Sequence, residues 1–147
     1  MITPARPLTA AGALFTDGDG RVLLVEPTYK PEWEIPGGVV EGSETPAEGC
    51  AREVREELGL EIVPGRLLVV DWAPWQSDAR VLFVFDGGTL PPTTSFRLQP
   101  EEIRSARFAA PAEVTHRCLP RLSRRVHAAL AAWERGETRY LENGTAV

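Results

Sequence analysis

The chain has 147 residues, of which 43% are hydrophobic and 25% charged, proportions that suit one globular domain with its own core rather than a repeat array or a disordered tail. Sixteen Lys and Arg against 21 Asp and Glu leave a formal net charge of -5, which excludes the basic footprint of a bulk nucleic-acid or anionic-membrane binder. No apolar run approaches the length of a membrane-spanning helix. The N-terminal MITPARPLTA lacks the charged-then-apolar order of a signal peptide, so a cytoplasmic protein is expected. Cys50 and Cys118, the only two cysteines, stand far apart without further ligands at metal spacing, and read as buried thiols.

In chain order, Ala10 to Thr16 and Arg21 to Val25 are apolar runs separated by Asp17-Gly18-Asp19-Gly20, the pattern of a hairpin. Thr45 to Leu58 carries helical signals. Leu67 to Asp71 and Val81 to Phe85 are β-branched and aromatic and read as buried strands. Pro91 to Leu98 reads as a surface loop, and Arg104 to Ala109 as a further strand. From about Pro120 to Arg135, Leu122, Val126, Ala129, Leu130 and Trp133 recur at helical spacing as a packing stripe. Strands interleaved with helices predict a layered α/β (α+β) domain with its core over about residues 6–136, and residues 137–147 as a loosely held tail.

Chemistry concentrates in Trp33 to Leu60, WEIPGGVVEGSETPAEGCAREVREELGL. Thr45, Pro46 and Glu48 form a capping-box start and Gly59 a left-handed stop, predicting a helix over 46–58. Ala47, Ala51, Val54 and Leu58 share the face suited to packing on a sheet. Glu53, Glu56 and Glu57 share another, at i, i+3 and i+4, where like charges repel by roughly 0.2–0.5 kcal/mol per pair. Such a face is either a solvated acidic surface or a set of hard oxygen ligands for Mg²⁺ or Mn²⁺, whose charge would reverse the repulsion. Arg52, beside Glu53 and four residues before Glu56, is placed to hold a carboxylate. Pro36-Gly37-Gly38 is either an ordinary tight turn or a backbone able to approach an ion or phosphate closely. Residues 38–60 hold six Glu and two Arg, so nearly all of the net charge lies in this one loop and helix.

Gly38, Glu44, Arg52-Glu53-Val54, Glu56-Glu57 and Gly59-Leu60 stand at the spacing of the Nudix box, and the segment resembles that family at every fixed position. The resemblance covers 23 residues, 38–60, and implies a Nudix-like α/β/α sandwich with a mixed β-sheet over a single domain, 1–147. It also implies a divalent-metal-dependent hydrolase that cleaves a phosphoanhydride bond of a nucleoside diphosphate linked to another moiety. By the same resemblance Glu56 and Glu57 are principal ligands of Mg²⁺ or Mn²⁺. Glu53 is a ligand or the base toward water, the Gly37 carbonyl an added ligand, Arg52 the residue orienting Glu53, and Glu44 its support.

Outside the box, many Nudix proteins carry a late acid beside the site. Glu101 and Glu102 occupy a comparable place and Glu102 is the candidate, with a solvated loop carboxylate as its alternative. Arg21 and Lys30 are candidate phosphate contacts or plain surface charge. Trp72 and Trp75 are candidates for stacking on a base or for packing, Trp33 reads as an anchor for the loop, and His116 and His127 as structural or exposed. The expected partner is a small-molecule nucleotide, either a nucleoside triphosphate or a nucleotide sugar such as ADP-ribose. Bulk nucleic acid and membrane are not expected partners, and the chain is expected as a monomer or homodimer. A catalytically silent nucleotide sensor is the main alternative, but such domains commonly lose box carboxylates that this chain keeps. An isopentenyl diphosphate isomerase would want a catalytic cysteine near the site, whereas Cys50 falls at the edge of the packed helix face.

Overall fold

Alternation along β1 (Leu8–Thr16) decides the two faces of the sheet in a computed structural model that describes residues Met1–Val147. Ala11, Ala13 and Phe15 pack in one buried cluster with Cys50, Val54 and Leu58 of α1 (Pro46–Leu58). Leu14, pointing the other way, joins a second cluster with Val126, Ala129 and Leu130 of α3 (Pro120–Arg135). The sheet is completed by β2 (Val22–Pro27), β3 (Gly37–Val39), β4 (Leu67–Trp72), β5 (Arg80–Thr89), β6 (Ile103–Ala109), β7 (Arg139–Glu142) and β8 (Thr145–Ala146). Its order is β6-β2-β1-β5-β4-β7-β8, with β3 also paired to β1. The β1/β5 and β4/β7 pairs are parallel and the others antiparallel, so the sheet is mixed and the architecture is the expected α/β/α sandwich. No helix is long and apolar enough to cross a membrane.

The two long helices occupy the predicted spans. At the start of α1 the Glu48 N–H donates to the Thr45 hydroxyl at 3.1 Å and the Glu48 carboxylate accepts from the Thr45 N–H at 2.9 Å, closing the capping box. Gly59 ends the helix in the left-handed region. Cys50 and Cys118 are buried free thiols, each pushed up to about 12 by burial, in keeping with structural roles.

The predicted hairpin forms but opens at once. β1 and β2 pair only at Thr16↔Val22, because the segment from Glu34 to Val39 inserts between them. Glu34 exchanges backbone hydrogen bonds with Val25 at 2.8 and 3.0 Å, the Ala13 N–H donates to the Pro36 carbonyl at 2.9 Å, and β3 pairs antiparallel with β1 through Gly12↔Gly37. Pro36-Gly37-Gly38 is therefore not a tight turn but the entry to a short strand. Gly37 stands at φ 153°, and a Cβ there would lie 2.4 Å from the Ala11 carbonyl oxygen, so only glycine lets the strand seat.

Two further elements differ from expectation. α2 (Pro111–Arg117) is a seven-residue helix whose one buried side chain, Val114, leaves no periodic signal to read. Residues 137–147, expected as a loose tail, instead extend the sheet: β7 pairs parallel with β4 in the register Val70↔Tyr140 and Asp71↔Leu141. Leu141 is fully buried, and the Asp71 carboxylate, itself fully buried, accepts the Gly144 N–H at 3.1 Å and the Arg125 Nε–H at 2.7 Å. A four-residue strand with one core residue cannot show its period, and its partner edge is remote in sequence. Leu141→Ala is expected to cost about 2–5 kcal/mol of unfolding free energy, measured by chemical denaturation. A chain ending at Gly136 is expected to lose at least as much, and equal stability of the truncated chain would contradict this role for the tail.

Candidate active site

The acidic helix meets the glycine strand through two carboxylates. Glu57, 7% exposed, accepts the Gly37 N–H at 3.0 Å through Oε1. Glu53 lies directly over Gly38, where a Cβ would stand 2.6 Å from its carboxyl carbon. Glycine is thus demanded by the closeness of a carboxylate as well as by backbone pairing. Gly49 to Leu58 hold the helix against the sheet, which turns Glu53 and Glu57 toward β3 while Glu56 stays half exposed.

Arg52 ties the remaining acids together. Its Nε and Nη2 donate to Glu44 at 2.6 and 3.0 Å, its Nη1 to Glu53 at 3.0 Å and Glu56 at 3.2 Å, and its Nη2 also to the Val39 carbonyl at 3.0 Å. The fork on Glu44 is the two-point geometry that a planar guanidinium favours. Glu44 in turn accepts the Glu41 N–H at 3.0 Å, which fixes the loop ahead of the helix. The Arg52 guanidinium holds the Glu44 carboxyl below its usual range. Burial outweighs the same cation at Glu53, whose carboxyl is pushed up. Burial pushes Glu57 to about 8, against the pull of the Gly37 N–H and with the fields of Glu53 and Glu102 adding to it.

Glu102 is brought near by the C-terminal end of α1. The Arg97 and Gln99 N–H groups donate to the Leu58 and Glu57 carbonyls at 2.9 and 3.1 Å, satisfying helix-end acceptors and carrying the following turn toward the site. Glu102 is exposed and makes no side-chain bond, but its charge is felt at both Glu53 and Glu57. No three His, Cys, Asp or Glu side chains are drawn together as a closed chelate, because Arg52 draws Glu53 and Glu56 to itself. The donor chemistry nonetheless fits a hard divalent cation: carboxylate oxygens only, buried Glu57 and half-buried Glu53 repelling each other beside a glycine backbone.

Beside Glu57, the gap that the inserted segment leaves in the sheet is a cleft of about 350 Å³. Tyr29, Glu34, Gly37 and Glu57 stand along it together with two residues that sequence reasoning missed, Arg80 and Arg125. Arg125 interrupts an apolar helix face and Arg80 opens a strand, signals visible in sequence but without meaning until the two elements are neighbours. The other predicted contacts fall elsewhere. Arg21 pairs with Asp17 at 2.6 Å in the β1–β2 turn, away from the cleft lining. Lys30 pairs with Glu34, so it reaches the cleft only through that partner. Trp75 is 42% exposed and stacks under the Arg121 guanidinium at 4.4 Å from its ring centre, outside the cleft lining, and Trp72 is half-buried on β4. Trp33 is the expected anchor, buried with the Arg107 and Arg117 guanidiniums 4.9 and 5.2 Å from its ring centre. His127 bonds the Thr115 hydroxyl at 2.8 Å and His116 lies exposed on α2.

The raised Glu57 fixes a sign. An unfolded chain releases this proton near 4.5 while the folded, metal-free chain keeps it to about 8, so folding takes up a proton in between and stability falls as pH rises across that window, levelling off above it. Thermal melting of the metal-free chain against pH is expected to show this loss, and Glu57→Gln is expected to flatten it. Identical pH profiles for the two proteins would contradict the assignment.

The NUDIX domain family model matches residues 6–133. The chain is 42% identical over 59 residues to a MutT-like protein of Streptomyces ambofaciens, an alignment covering 40% of this chain and 38% of that protein. It is 34% identical over 98 residues to an NAD-capped RNA hydrolase of Stutzerimonas stutzeri, covering 65% of this chain and 33% of that protein. The matched stretches thus span little more than a third of these curated relatives. The crystal structure of the MutT protein from Methanosarcina mazei Go1 superposes with a TM-score of 0.72 over 92% of this chain and 98% of that one, at 23% identity, and so shares its fold. Since the family model runs from the segment before β1 to near the end of α3, taking in the acidic helix, its glycine strand and both layers of the sandwich, the chain belongs to the Nudix family.

Proposed function

We propose that the chain is a divalent-metal-dependent pyrophosphohydrolase that cleaves a phosphoanhydride bond of a nucleoside diphosphate linked to another moiety, such as a nucleoside triphosphate or a nucleotide sugar. The observation that carries the reading is the pair of buried Glu57 and half-buried Glu53, held against Gly37 and Gly38 at the edge of the cleft. Carboxylates that are partly stripped of water and raise one another's proton affinity favour a bound cation.

In this reading Glu53, Glu56, Glu57 and the Gly37 carbonyl hold Mg²⁺ or Mn²⁺. The ion, when bound, neutralises diphosphate charge and lowers the pKa of the attacking water. Arg52 keeps Glu53 in place, and Glu44 and the Val39 carbonyl keep Arg52 in place. Glu53 accepts the proton of the water as its oxygen bonds to phosphorus and the bridging P–O bond breaks, the electron pair leaving with the departing phosphate. Glu102, whose field reaches the same two carboxylates, is a second candidate for proton transfer.

A phosphate-release screen over nucleoside triphosphates, nucleotide sugars and dinucleotides is expected to find turnover with Mg²⁺ or Mn²⁺ that EDTA abolishes. Glu53→Gln is expected to reduce that turnover by about 10²–10⁴-fold. Turnover that survives chelation, or that is unchanged in Glu53→Gln, would refute the mechanism, and ligand binding without any turnover would identify a sensor instead. Gly38→Ala leaves the backbone room to fold but pushes the flexible Glu53 carboxylate aside. Its kcat is expected to fall about tenfold or more with little change in melting temperature, and wild-type kcat would contradict the close packing.

A further inference from the structure

The cleft has a second polar end. Its lining on the α3 side includes Leu82 and Val84 of β5, Leu122 of α3 and the guanidiniums of Arg80 and Arg125. Gly12 pairs with Val84 and Leu8 with Arg80 in the parallel β1/β5 register, so Arg80 lies farther down the same sheet face from the Gly12↔Gly37 junction. Glu34 and Glu57 line the cleft as well, Glu57 bonded to Gly37. One cleft therefore holds two acids at its β3 end and two arginines beyond.

The protein neutralises only one of the two arginines. Arg125 is 7% exposed and uses its Nε on Asp71. The other oxygen of that carboxylate accepts the Gly144 N–H. Arg80 makes no ion pair and no side-chain hydrogen bond, and its Nε is buried without a partner. Nearly all buried donors in native proteins have acceptors, and an unmet one is costly, the more so when charged. Two guanidiniums against a single carboxylate leave one positive charge in excess on an otherwise apolar wall. Planar forks with free donors and surplus charge match a phosphate or carboxylate better than a neutral acceptor edge.

We propose that Arg80 and Arg125 form a subsite for an additional anionic group of the substrate, so that the cleft selects diphosphate compounds bearing a phosphate or carboxylate beyond the scissile diphosphate. The assignment rests on the hydrolase reading for the word substrate, but the subsite itself is a matter of binding. Asp71 acts here as a positioning residue, aiming Arg125, and Arg80 supplies the uncompensated charge.

Calorimetric titration in EDTA tests binding without turnover. Two matched pairs serve as probes: ADP-ribose with its 2′-phosphate, and UDP-glucose with UDP-glucuronate. Wild type is expected to bind the anionic member of at least one pair about tenfold more tightly, a preference that weakens with salt. The responding pair tells whether the group is a phosphate on the nucleoside or a carboxylate on the sugar. Arg80→Gln is expected to abolish the preference and Arg80→Lys to keep part of it. Equal binding within both pairs, or a preference undiminished in a folded Arg80→Gln, would overturn the proposal. The wild-type comparison stands even where a variant fails to fold. Turnover of the same compounds with Mg²⁺ separates the two readings. Hydrolysis without preference removes the subsite and leaves the hydrolase, whereas preference without hydrolysis removes the hydrolase and leaves the subsite.

Discussion

The insertion of Glu34–Val39 between β1 and β2 is the constraint on which the rest of the structure depends. Two strands joined by a short turn would ordinarily zip together along their length, yet here they pair at one position and then diverge around a third segment. The divergence opens the cleft, and the inserted backbone is what α1 packs its carboxylates against. The seat is steric before it is chemical, because Gly37 leaves no room for a Cβ against the Ala11 carbonyl, while at Gly38 only the movable Glu53 carboxylate stands in the way. The hydrogen bond from Gly37 to Glu57 then fixes the helix in rotation about its own axis.

Electrostatics follow from that packing. A helix carrying Glu53, Glu56 and Glu57 on one side would be merely solvated if that side faced water. Turned onto β3, it loses solvent at Glu53 and Glu57, and their carboxyls rise above their usual range. Arg52 limits the cost by spanning Glu44, Glu53 and Glu56. What the guanidinium does not reach is Glu57, where the strain of charge burial is concentrated.

The cleft therefore carries acids at its β3 end and arginines beyond. The polarity suits a ligand whose diphosphate is presented, with a cation, to the carboxylates while its far portion passes between apolar walls. Such a gradient distinguishes this chain's pocket from an apolar slot, and it arises from elements far apart in the sequence: β5 supplies Arg80, α3 supplies Arg125, and the β7–β8 turn locks Asp71 in place through Gly144.

Much of this was legible without coordinates. The capping box at Thr45 and the stop at Gly59 bounded α1 because caps are local chemistry, and the stripe from Leu122 to Leu130 bounded α3 because period is local too. The box residues carried the family, and with it the fold, since their spacing is itself a motif. The splayed hairpin, the added strand β7 and the paired arginines were hidden, because each depends on which distant segments become neighbours. Arg21 and Lys30 show the limit most clearly. Closeness in sequence suggested them, but Asp17 holds Arg21 away from the cleft and Glu34, which lines it, ties up Lys30, while Arg80 and Arg125, unremarkable in sequence, line the cleft themselves. Sequence alone determined the two long helices, the acidic motif and the fold class, all of them encoded in short-range spacing. Tertiary structure alone decided which charges share a cavity, because burial and mutual approach are properties of the packed sheet and not of any one segment.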